Sequence, residues 1–428
     1  NYLPSLSLSS DPNLNRAINK ITMGDGSVKF VEQNLLNTDL TLNLSQNIPW
    51  TGGSLFLETS AQRMDLFSEH KYSWQTSPIM IGYRQSLFGY NSLKWDKRIE
   101  PVRYQEAKKN YVETLELVSA NAINKFFALA TAQSNYDIAS FNYANADTLY
   151  RYAQGRYNIG TITENEMLQL ELNRLTEETN RMNARIEMDN CMQELRSYLG
   201  IQEEREIRVR VSSRIPNFSI NLNEALALAY ENSPDIQTMK RRKLESESAV
   251  ARARANAGLK ADIYLRFGLT QTADKLPEAY RNLLDQQYVS LSISLPILDW
   301  GRGKGQVRVA RSNRDLVYTQ VEQSRTDFEL NVRKLVKQFN LQTQRVRIAA
   351  RTDETAQRRN EVARKLYILG KSTILDLNAS ISEKDSARRN YVSALYNYWS
   401  LYYTLRSMTL YDFESNKLLT EDYNLLIE

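Results

Sequence analysis

The residue types that carry most enzyme chemistry are scarce in this chain. His70 is the only histidine and Cys191 the only cysteine, so a histidine zinc site or a Ser/His/Asp triad lacks its components. Cys191 lies in a helical pattern, which favours a small buried residue over a reactive thiol. The run Gly301-Arg302-Gly303-Lys304-Gly305 has the glycines and the lysine of a phosphate loop, but it lacks the spacing and the Ser or Thr after the lysine. We therefore predict no catalytic residue, no metal site and no cofactor.

The distribution of charge gives no sign of a nucleic-acid partner. The chain carries 55 Lys and Arg against 50 Asp and Glu, a net charge of +5 at pH 7. Its densest basic run, residues 240–243, stands inside a helical pattern. A solvated helix face explains such a run better than a binding patch does. We predict that the chain binds no nucleic acid.

The composition predicts long, uninterrupted elements. Only 15 Gly and 9 Pro are distributed over 428 residues, which leaves few places where a helix must end. The mean hydropathy is −0.53, and the sequence has no run of about 18 apolar residues that could form a spanning helix.

Two stretches of the chain resemble each other in type and context. They are residues 156–163 (RYNIGTIT) and residues 366–373 (LYILGKST), and their glycines lie 210 positions apart. Each has a Gly where a helix would end and a Ser/Thr cluster where the next helix would be capped. Residues 81–90 and 291–300 keep the same offset. We interpret the chain as two tandem repeats, each with strands followed by a long helical hairpin.

Period-two alternation predicts short strands before each hairpin. In the first half the alternating runs are residues 3–9, 40–45, 54–59 and 79–88. Residues 11–38 and 65–77 read as polar, irregular loops, whereas the turn around Trp50 is short. Long loops on one side and short turns on the other are typical of outer-membrane sheets. A soluble antiparallel sheet with one wet face fits the alternation equally well.

Helical periodicity extends over unusually long segments. The predicted helices are residues 91–154, 163–199, 304–368 and 373–408. Apolar residues recur at heptad-like spacing in the long arms, at Leu115, Val118, Ala122, Phe126 and Leu129, and at Phe328, Val332, Leu335 and Phe339. A helix of about 60 residues would reach roughly 90 Å. Such helices suit a tube rather than a compact domain.

These patterns divide the chain into seven segments. Another amphipathic helix, opened by Asn223, precedes the second strand pair, and the first half has no counterpart to it. We expect such a helix to precede the first strand outside this sequence. The segments are 1–90 with the first strands and outer loops, 91–200 with the first long hairpin (tip near 155–163), 201–221 as an equatorial segment, 222–258 as the leading helix, 259–298 as the second strand hairpin, 299–408 as the second long hairpin (tip near 366–373) and 409–428 as a C-terminal equatorial segment.

The order of elements resembles the TolC family of outer membrane efflux ducts. Repeated units of strand hairpin and long helical hairpin with a Tyr-x-x-Gly tip carry the resemblance. Residues 43–53 (NLSQNIPWTGG) and 85–91 (QSLFGYN) are similar to Bacteroidetes-type members. The resemblance extends over nearly the whole chain and lies in the order and spacing of its motifs.

The resemblance implies a mixed α+β membrane protein that works as a homotrimer. Its strands would form one shared outer-membrane β-barrel in contact with lipid, continued by a long periplasmic α-helical barrel. The expected function is a passive exit duct of a tripartite efflux or type I secretion system, with a periplasmic adaptor and an inner-membrane pump as partners. Six strands in each protomer rather than four would give a barrel of about 18 strands. A soluble or periplasmic coiled-coil scaffold is the alternative.

The resemblance also implies roles for residues at the tips. Glu166 matches a carboxylate of the closed aperture and Tyr367 a tyrosine that contacts it, whereas the arginine of related ducts is replaced by Ser372 with Lys371 beside it. Asp376 matches one position of an acidic ring, and Ala379 stands at the other. The expected adaptor-contacting residues are Tyr157, Gly160, Thr161, Gly370 and Thr373.

Overall fold

The computed structural model describes residues 2–24, 26–67, 69–203, 206–212, 215–369 and 371–419. The chain forms two compact units. The first unit combines Asn1–Tyr104 with Met239–Glu322, and the second combines Gln105–Thr238 with Gln323–Glu428.

An antiparallel sheet dominates the first unit. Its strands are β1 (Ser5–Ser10), β2 (Asn13–Thr22), β3 (Val28–Ile48), β4 (Gly53–Leu66), β5 (Lys71–Ser86), β6 (Lys260–Ala273) and β7 (Leu284–Ser294). The spatial order is β1-β3-β4-β5-β6-β7, and β2 also pairs with β3. β1 and β2 follow each other along one edge of β3, interrupted at Asp11-Pro12, where proline cannot donate a ladder hydrogen bond. The sheet is therefore six strands wide, the larger of the two widths expected.

The strands are longer than their hydropathy predicts. Residues 11–38 and 65–77 were expected to be loops, yet β2, most of the first half of β3 and the start of β5 lie there. That prediction was wrong because charged residues interrupt the apolar face of these strands, for example where Arg16 stands between Leu14 and Ile18 in β2. An interrupted apolar face weakens the period-two hydropathy signal.

The two motifs that carry the family resemblance pack against each other. The turn between β3 and β4 is closed by a hydrogen bond from the Gly52 N–H to the Ile48 carbonyl, 2.8 Å. The Gln85 amide donates to the Thr51 carbonyl over 2.8 Å, and the Asn91 amide donates to the Pro49 carbonyl over 3.1 Å. Gly52 has a φ of 77°, and a Cβ there would lie 2.8 Å from the Asn91 side chain.

The described residues contain six α-helices, four between β5 and β6 and two after β7. They are α1 (Ser92–Asn158), α2 (Glu164–Tyr198), α3 (Leu222–Asn232), α4 (Pro234–Ala257), α5 (Arg302–Ile368) and α6 (Ile374–Thr409). A 3-10 turn at Glu278–Tyr280 separates β6 from β7, and a short hairpin of β8 (Tyr411–Asp412) and β9 (Lys417–Leu418) follows α6. In the described residues, no helix combines the length and apolar character needed to cross a membrane.

Two details of the leading helix correct the sequence prediction. The leading helix is divided into α3 and α4, because Pro234 has no N–H and holds Ser233 in an extended conformation. Its N-cap is Asn221 rather than Asn223, and the Asn221 side chain accepts from the Asn223 N–H over 2.9 Å. Pro101 lies inside α1.

The second unit has an aromatic core. Phe339, Tyr398 and Tyr402 are at most 2% exposed, and Phe218 packs on Phe339 with ring centroids 5.4 Å apart. The predicted heptad seam is only partly buried, since Val118 is 50% exposed and Val336 rather than Leu335 joins the core of α5. Buried positions along α5 nevertheless recur every seven residues, at Val332, Phe339, Val346 and Asp353, which is the heptad period.

Candidate functional site

The first tip joins α1 to α2 through a tightly hydrogen-bonded turn. The Gly160 N–H donates to the Tyr157 carbonyl over 2.8 Å, and the Thr161 N–H to the Arg156 carbonyl over 2.9 Å. Gly160 has a φ of 74°. This pair of bonds forms a Schellman motif, which requires one residue with a positive φ. Glycine adopts that conformation with less strain than other residues do.

Thr163 then caps α2, and Glu166 completes a capping box. The Thr163 hydroxyl accepts from the Glu166 N–H over 3.3 Å, while the Glu166 carboxylate accepts from the Thr163 N–H over 2.9 Å. The carboxylate also accepts from the Thr163 hydroxyl, 3.1 Å. Hydrogen bonds from Thr163 lower the pKa of Glu166, and the positive charge of Arg156 lowers it further.

The second tip repeats the capping arrangement. The Lys371 N–H donates to the Leu366 carbonyl over 2.9 Å, and Thr373 caps α6 in a capping box with Asp376. The Asp376 carboxylate accepts from the hydroxyl of Thr373 over 2.7 Å and from that of Ser372 over 3.3 Å. These contacts lower the pKa of Asp376. Gly370, the remaining residue predicted at this tip, lies outside the described residues.

Both predicted aperture carboxylates thus stabilise the start of their own helix. Glu166 and Asp376 are exposed, so each retains a face that is free to meet another molecule. The capping geometry explains their presence without any aperture, and the aperture role stays a prediction.

Tyr367 lines a small cavity near the tips. The cavity has a volume of about 200 Å³. Its lining residues are Asn145, Thr148, Leu149, Tyr152, Asn360, Arg364, Tyr367, Leu377 and Ile381. Burial raises the pKa of the Tyr367 phenol, the charge of Arg156 opposes this shift, and Tyr152 and Glu166 add to it.

Arg156 was missing from the residues predicted at the aperture. It influences both Tyr367 and Glu166 electrostatically, and its guanidinium lies 5.9 Å from the ring centroid of Tyr152. The charge of Arg156 at the first tip thus acts on the predicted tyrosine, whereas the family resemblance led us to expect that charge at the position of Ser372. No motif links Arg156 to Tyr367 in the sequence.

Two exposed apolar residues at the tips were also missed. Ile159 is 74% exposed and Leu369 is 67% exposed, and Tyr157 beside Ile159 is 39% exposed. Each of the two aliphatic residues precedes the glycine of its tip. This shared position was the available signal, because an apolar residue kept at an exposed turn in both copies favours a contact surface.

The sheet of the first unit has one strongly apolar face. One row of paired residues, Leu6, Leu44, Leu57, Ile81 and Phe267, crosses five strands. The exposed members of this face are Leu6, Leu8, Leu40, Leu42, Leu44, Leu55, Leu57, Ile79, Ile81, Phe267, Val289, Leu291 and Ile293, between 38% and 67% exposed. We call this set the apolar belt. An exposed patch of this extent indicates a membrane or protein contact.

Aromatic side chains flank the apolar belt on the same face. Arg63 lies 5.1 Å from the ring centroid of Tyr72 and 5.8 Å from that of Trp74, and it pairs with Asp65 over 2.7 Å. Tyr and Trp beside an apolar band are typical of a membrane–water interface. The opposite face carries polar residues such as Ser7, Asn43 and Ser290.

Comparison with known proteins gives a match to one family model and matches to the folds of several solved structures. The model of the outer membrane efflux protein family matches residues 225–409, and no curated protein matches the chain in sequence. The CmeC outer membrane channel of Campylobacter jejuni is similar over 99% of this chain and 80% of its own, with a TM-score of 0.68 and 16% identity. VceC of Vibrio cholerae is similar over 95% and 87%, with a TM-score of 0.64 and 14% identity.

A further solved structure, the open state of the MtrE outer membrane channel of Neisseria gonorrhoeae, is similar over 86% of this chain and 81% of its own, with a TM-score of 0.63 and 14% identity. Residues 225–409 match the outer membrane efflux protein family, the chain as a whole has the fold of solved outer membrane channels, and its resemblance to the TolC family is thereby confirmed.

Proposed function

We propose that this chain is the outer membrane exit duct of a tripartite efflux or type I secretion system. The observation that carries this proposal is the similarity of nearly the whole chain to outer membrane channels, together with the family match over residues 225–409. The duct is a passive channel and not an enzyme, so the driving force comes from a pump. It lies in the outer membrane and extends into the periplasm.

The sheet supports closure by other copies of the chain. β1 and β7 are the outermost strands of the described sheet, each paired along one edge only. Unpaired edges of long strands tend to find partners. Three copies of a six-strand sheet joined at these edges make a barrel of about 18 strands, wide enough for an aqueous channel. The apolar belt then faces lipid and the polar face lines the channel.

The helices support two tandem repeats and a helical barrel. α1 and α5 both have 67 residues, and their first residues, Ser92 and Arg302, lie 210 positions apart. The first residues of α2 and α6 keep the same offset. In this proposal twelve helices from three copies form the periplasmic tunnel, and the segments 201–221 and 409–428 surround it as a collar.

The tips would be the place where the duct meets its adaptor and opens. Tyr157, Gly160, Thr161, Gly370 and Thr373 keep their proposed role as adaptor contacts, now joined by the exposed Ile159 and Leu369. Glu166, Tyr367, Lys371, Ser372 and Asp376 keep theirs at the aperture. Arg156 supplies the positive charge near Tyr367.

Electron microscopy of the detergent-extracted protein tests the duct directly. Helices of 67 residues predict rods of about 100 Å at 1.5 Å per residue, so negative stain should give tapered cylinders longer than this with threefold end views. Soluble rods or compact particles that need no detergent would contradict the duct and favour the coiled-coil scaffold.

A further inference from the structure

A compact group of aromatic and cationic side chains stands on the polar face of the sheet. Tyr264 is at its centre, stacked on Phe56 with ring centroids 6.0 Å apart and edge-on to Tyr288 at 5.8 Å. The Arg84 guanidinium lies 5.4 Å from the Tyr264 ring centroid. Arg266 pairs across the strands with Gly82 on one side and with Tyr288 on the other. We call Phe56, Arg84, Tyr264, Arg266 and Tyr288 the aromatic–arginine cluster.

The backbone at Gly82 leaves space for the Phe56 ring of this cluster. The Phe56 ring lies over Gly82, and a Cβ at Gly82 would overlap the ring. Phe56 is 8% exposed, whereas Tyr288 is 54% exposed. The cluster therefore has a fixed, buried base at Phe56 and an open aromatic edge at Tyr288. Rigid aromatic surfaces of this kind offer contact area at a small entropic penalty.

The cationic charge of the cluster is not neutralised locally. Within the part of the chain that the structure describes, neither Arg84 nor Arg266 has a carboxylate at ion-pair distance. The Nε of Arg266 is buried without a hydrogen-bond partner, and its Nη2 reaches the Gln286 side chain only at 3.5 Å. Glu58, which shares this face, pairs across the strands with Met80 instead. Two guanidiniums thus remain available to an anion.

We propose that the aromatic–arginine cluster is a contact point for aromatic anions that pass through the channel. This inference rests on the proposed function, which turns the polar face toward the lumen. A guanidinium binds a carboxylate or sulfonate through two parallel hydrogen bonds, and the Tyr288 and Tyr264 rings stack on the aromatic part of the solute. Three copies would place six such guanidiniums around the lumen.

Block of single channels by small aromatic ions tests the proposal. The purified protein is incorporated into planar lipid bilayers, and naphthalene-2-sulfonate is added on the side of the sheet. Methanesulfonate and a naphthyl trimethylammonium ion serve as the non-aromatic anion and the aromatic cation. We expect naphthalene-2-sulfonate to block at concentrations about ten-fold below those of either comparison ion, as one charge-assisted contact plus stacking implies.

Variants of the cluster separate its two contributions. Arg84→Gln together with Arg266→Gln should raise the half-blocking concentration of naphthalene-2-sulfonate about ten-fold. Tyr288→Leu should remove the preference over methanesulfonate and leave block by anions in place. The matched control is Arg63→Gln, which changes an arginine on the opposite face of the same sheet and should leave block unchanged. Arg84→Gln alone, at an exposed side chain, covers the case in which the double variant does not fold.

Each outcome bears on a distinct claim. Equal block by the three ions, or block unaffected by the arginine variants in protein that conducts, overturns the inference and leaves the duct standing. Protein that inserts and gives no conductance contradicts the duct itself, and the inference falls with it.

Discussion

The guanidinium of Arg406 on α6 lies 3.0 Å from the carboxylate of Glu116 on α1. The two side chains are only 16% and 11% exposed, and a second carboxylate, that of Asp412, lies 3.6 Å from the same guanidinium. Asp412 also accepts a hydrogen bond from the Tyr402 hydroxyl. The pair therefore joins the first and last helices of the second unit through a largely desolvated contact.

Removal of this arginine should destabilise the protein strongly. Arg406→Met leaves Glu116 buried without a counter-charge, which costs about 3 kcal/mol. The control is Arg351→Met, whose partner Glu354 is 46% exposed, where a surface pair contributes about 0.5 kcal/mol. Thermal unfolding in detergent, followed by far-UV circular dichroism, compares the two. Equal stabilities of both variants would mean that the Arg406 contact contributes little.

Stability should also fall as the pH rises from about 5 to about 7. Burial raises the pKa of Glu113 to about 7, and the nearby charge of Asp235 adds to the shift. Because this pKa lies above the unfolded value of about 4.5, the folded state holds the proton more tightly. The contribution of Glu113 is therefore present at low pH and is lost between about pH 5 and pH 7.

Glu113→Gln should flatten this part of the pH profile. The measurement is the unfolding temperature across the same pH window, with Glu354→Gln on an exposed face as the control. A profile that keeps its slope in Glu113→Gln would assign the pH dependence to other groups.

Mutation of either helix cap at the tips should loosen only the helix that it caps. Thr163→Ala removes the cap of α2, and Thr373→Ala removes that of α6. Each change costs about 1 kcal/mol, so amide hydrogens in the first turn of the affected helix should exchange about five-fold faster. Thr176→Ala is the control, since its hydroxyl bonds only to the Leu172 carbonyl within α2. Unchanged exchange in the capped turns would show that other contacts fix the tips.

Neutralising the tip carboxylates should open the channel. In the proposed trimer, three copies of Glu166 and Asp376 converge, so Glu166→Ala with Asp376→Ala should raise the conductance and weaken block by divalent cations. Glu164→Ala removes a charge from the same turn of α2 without touching the capping box. Thr163→Ala disturbs the cap and keeps the charge. Conductance unaffected by the double variant would contradict the aperture assignment.

Long helices were predictable because little in the sequence could end them. α1 was expected over residues 91–154 and is found at Ser92–Asn158. Glycine marked the ends of α1 and α2, at Gly160 and Gly200, whereas the amphipathic pattern alone missed the break between α3 and α4 at Pro234. Strand length was underestimated because Arg16 and Lys20 interrupt the apolar face of β2 and weaken the alternation.

The parts of the candidate site that depend on residues close together in the sequence could be predicted. Thr163 and Thr373 could be read as caps because each stands a few residues after a tip glycine, followed by Glu166 or Asp376 three residues on. The electrostatic effect of Arg156 on Tyr367 could not be predicted, because the two residues are far apart in the sequence. The aromatic–arginine cluster likewise needs the strand register, which brings Arg84 beside Tyr264.

The Schellman motif of the first tip and the capping boxes of both tips consist of hydrogen bonds between residues of the same tip. Every hydrogen bond that closes the first turn runs between residues 156 and 166, so a hairpin can be carried sideways without breaking any of them. In the proposed duct, widening would then require movement of the long helices and no change of conformation at the tips. In the proposed duct, the stiffness that an adaptor works against would be distributed along α1, α2, α5 and α6, away from the proposed contact residues at the tips.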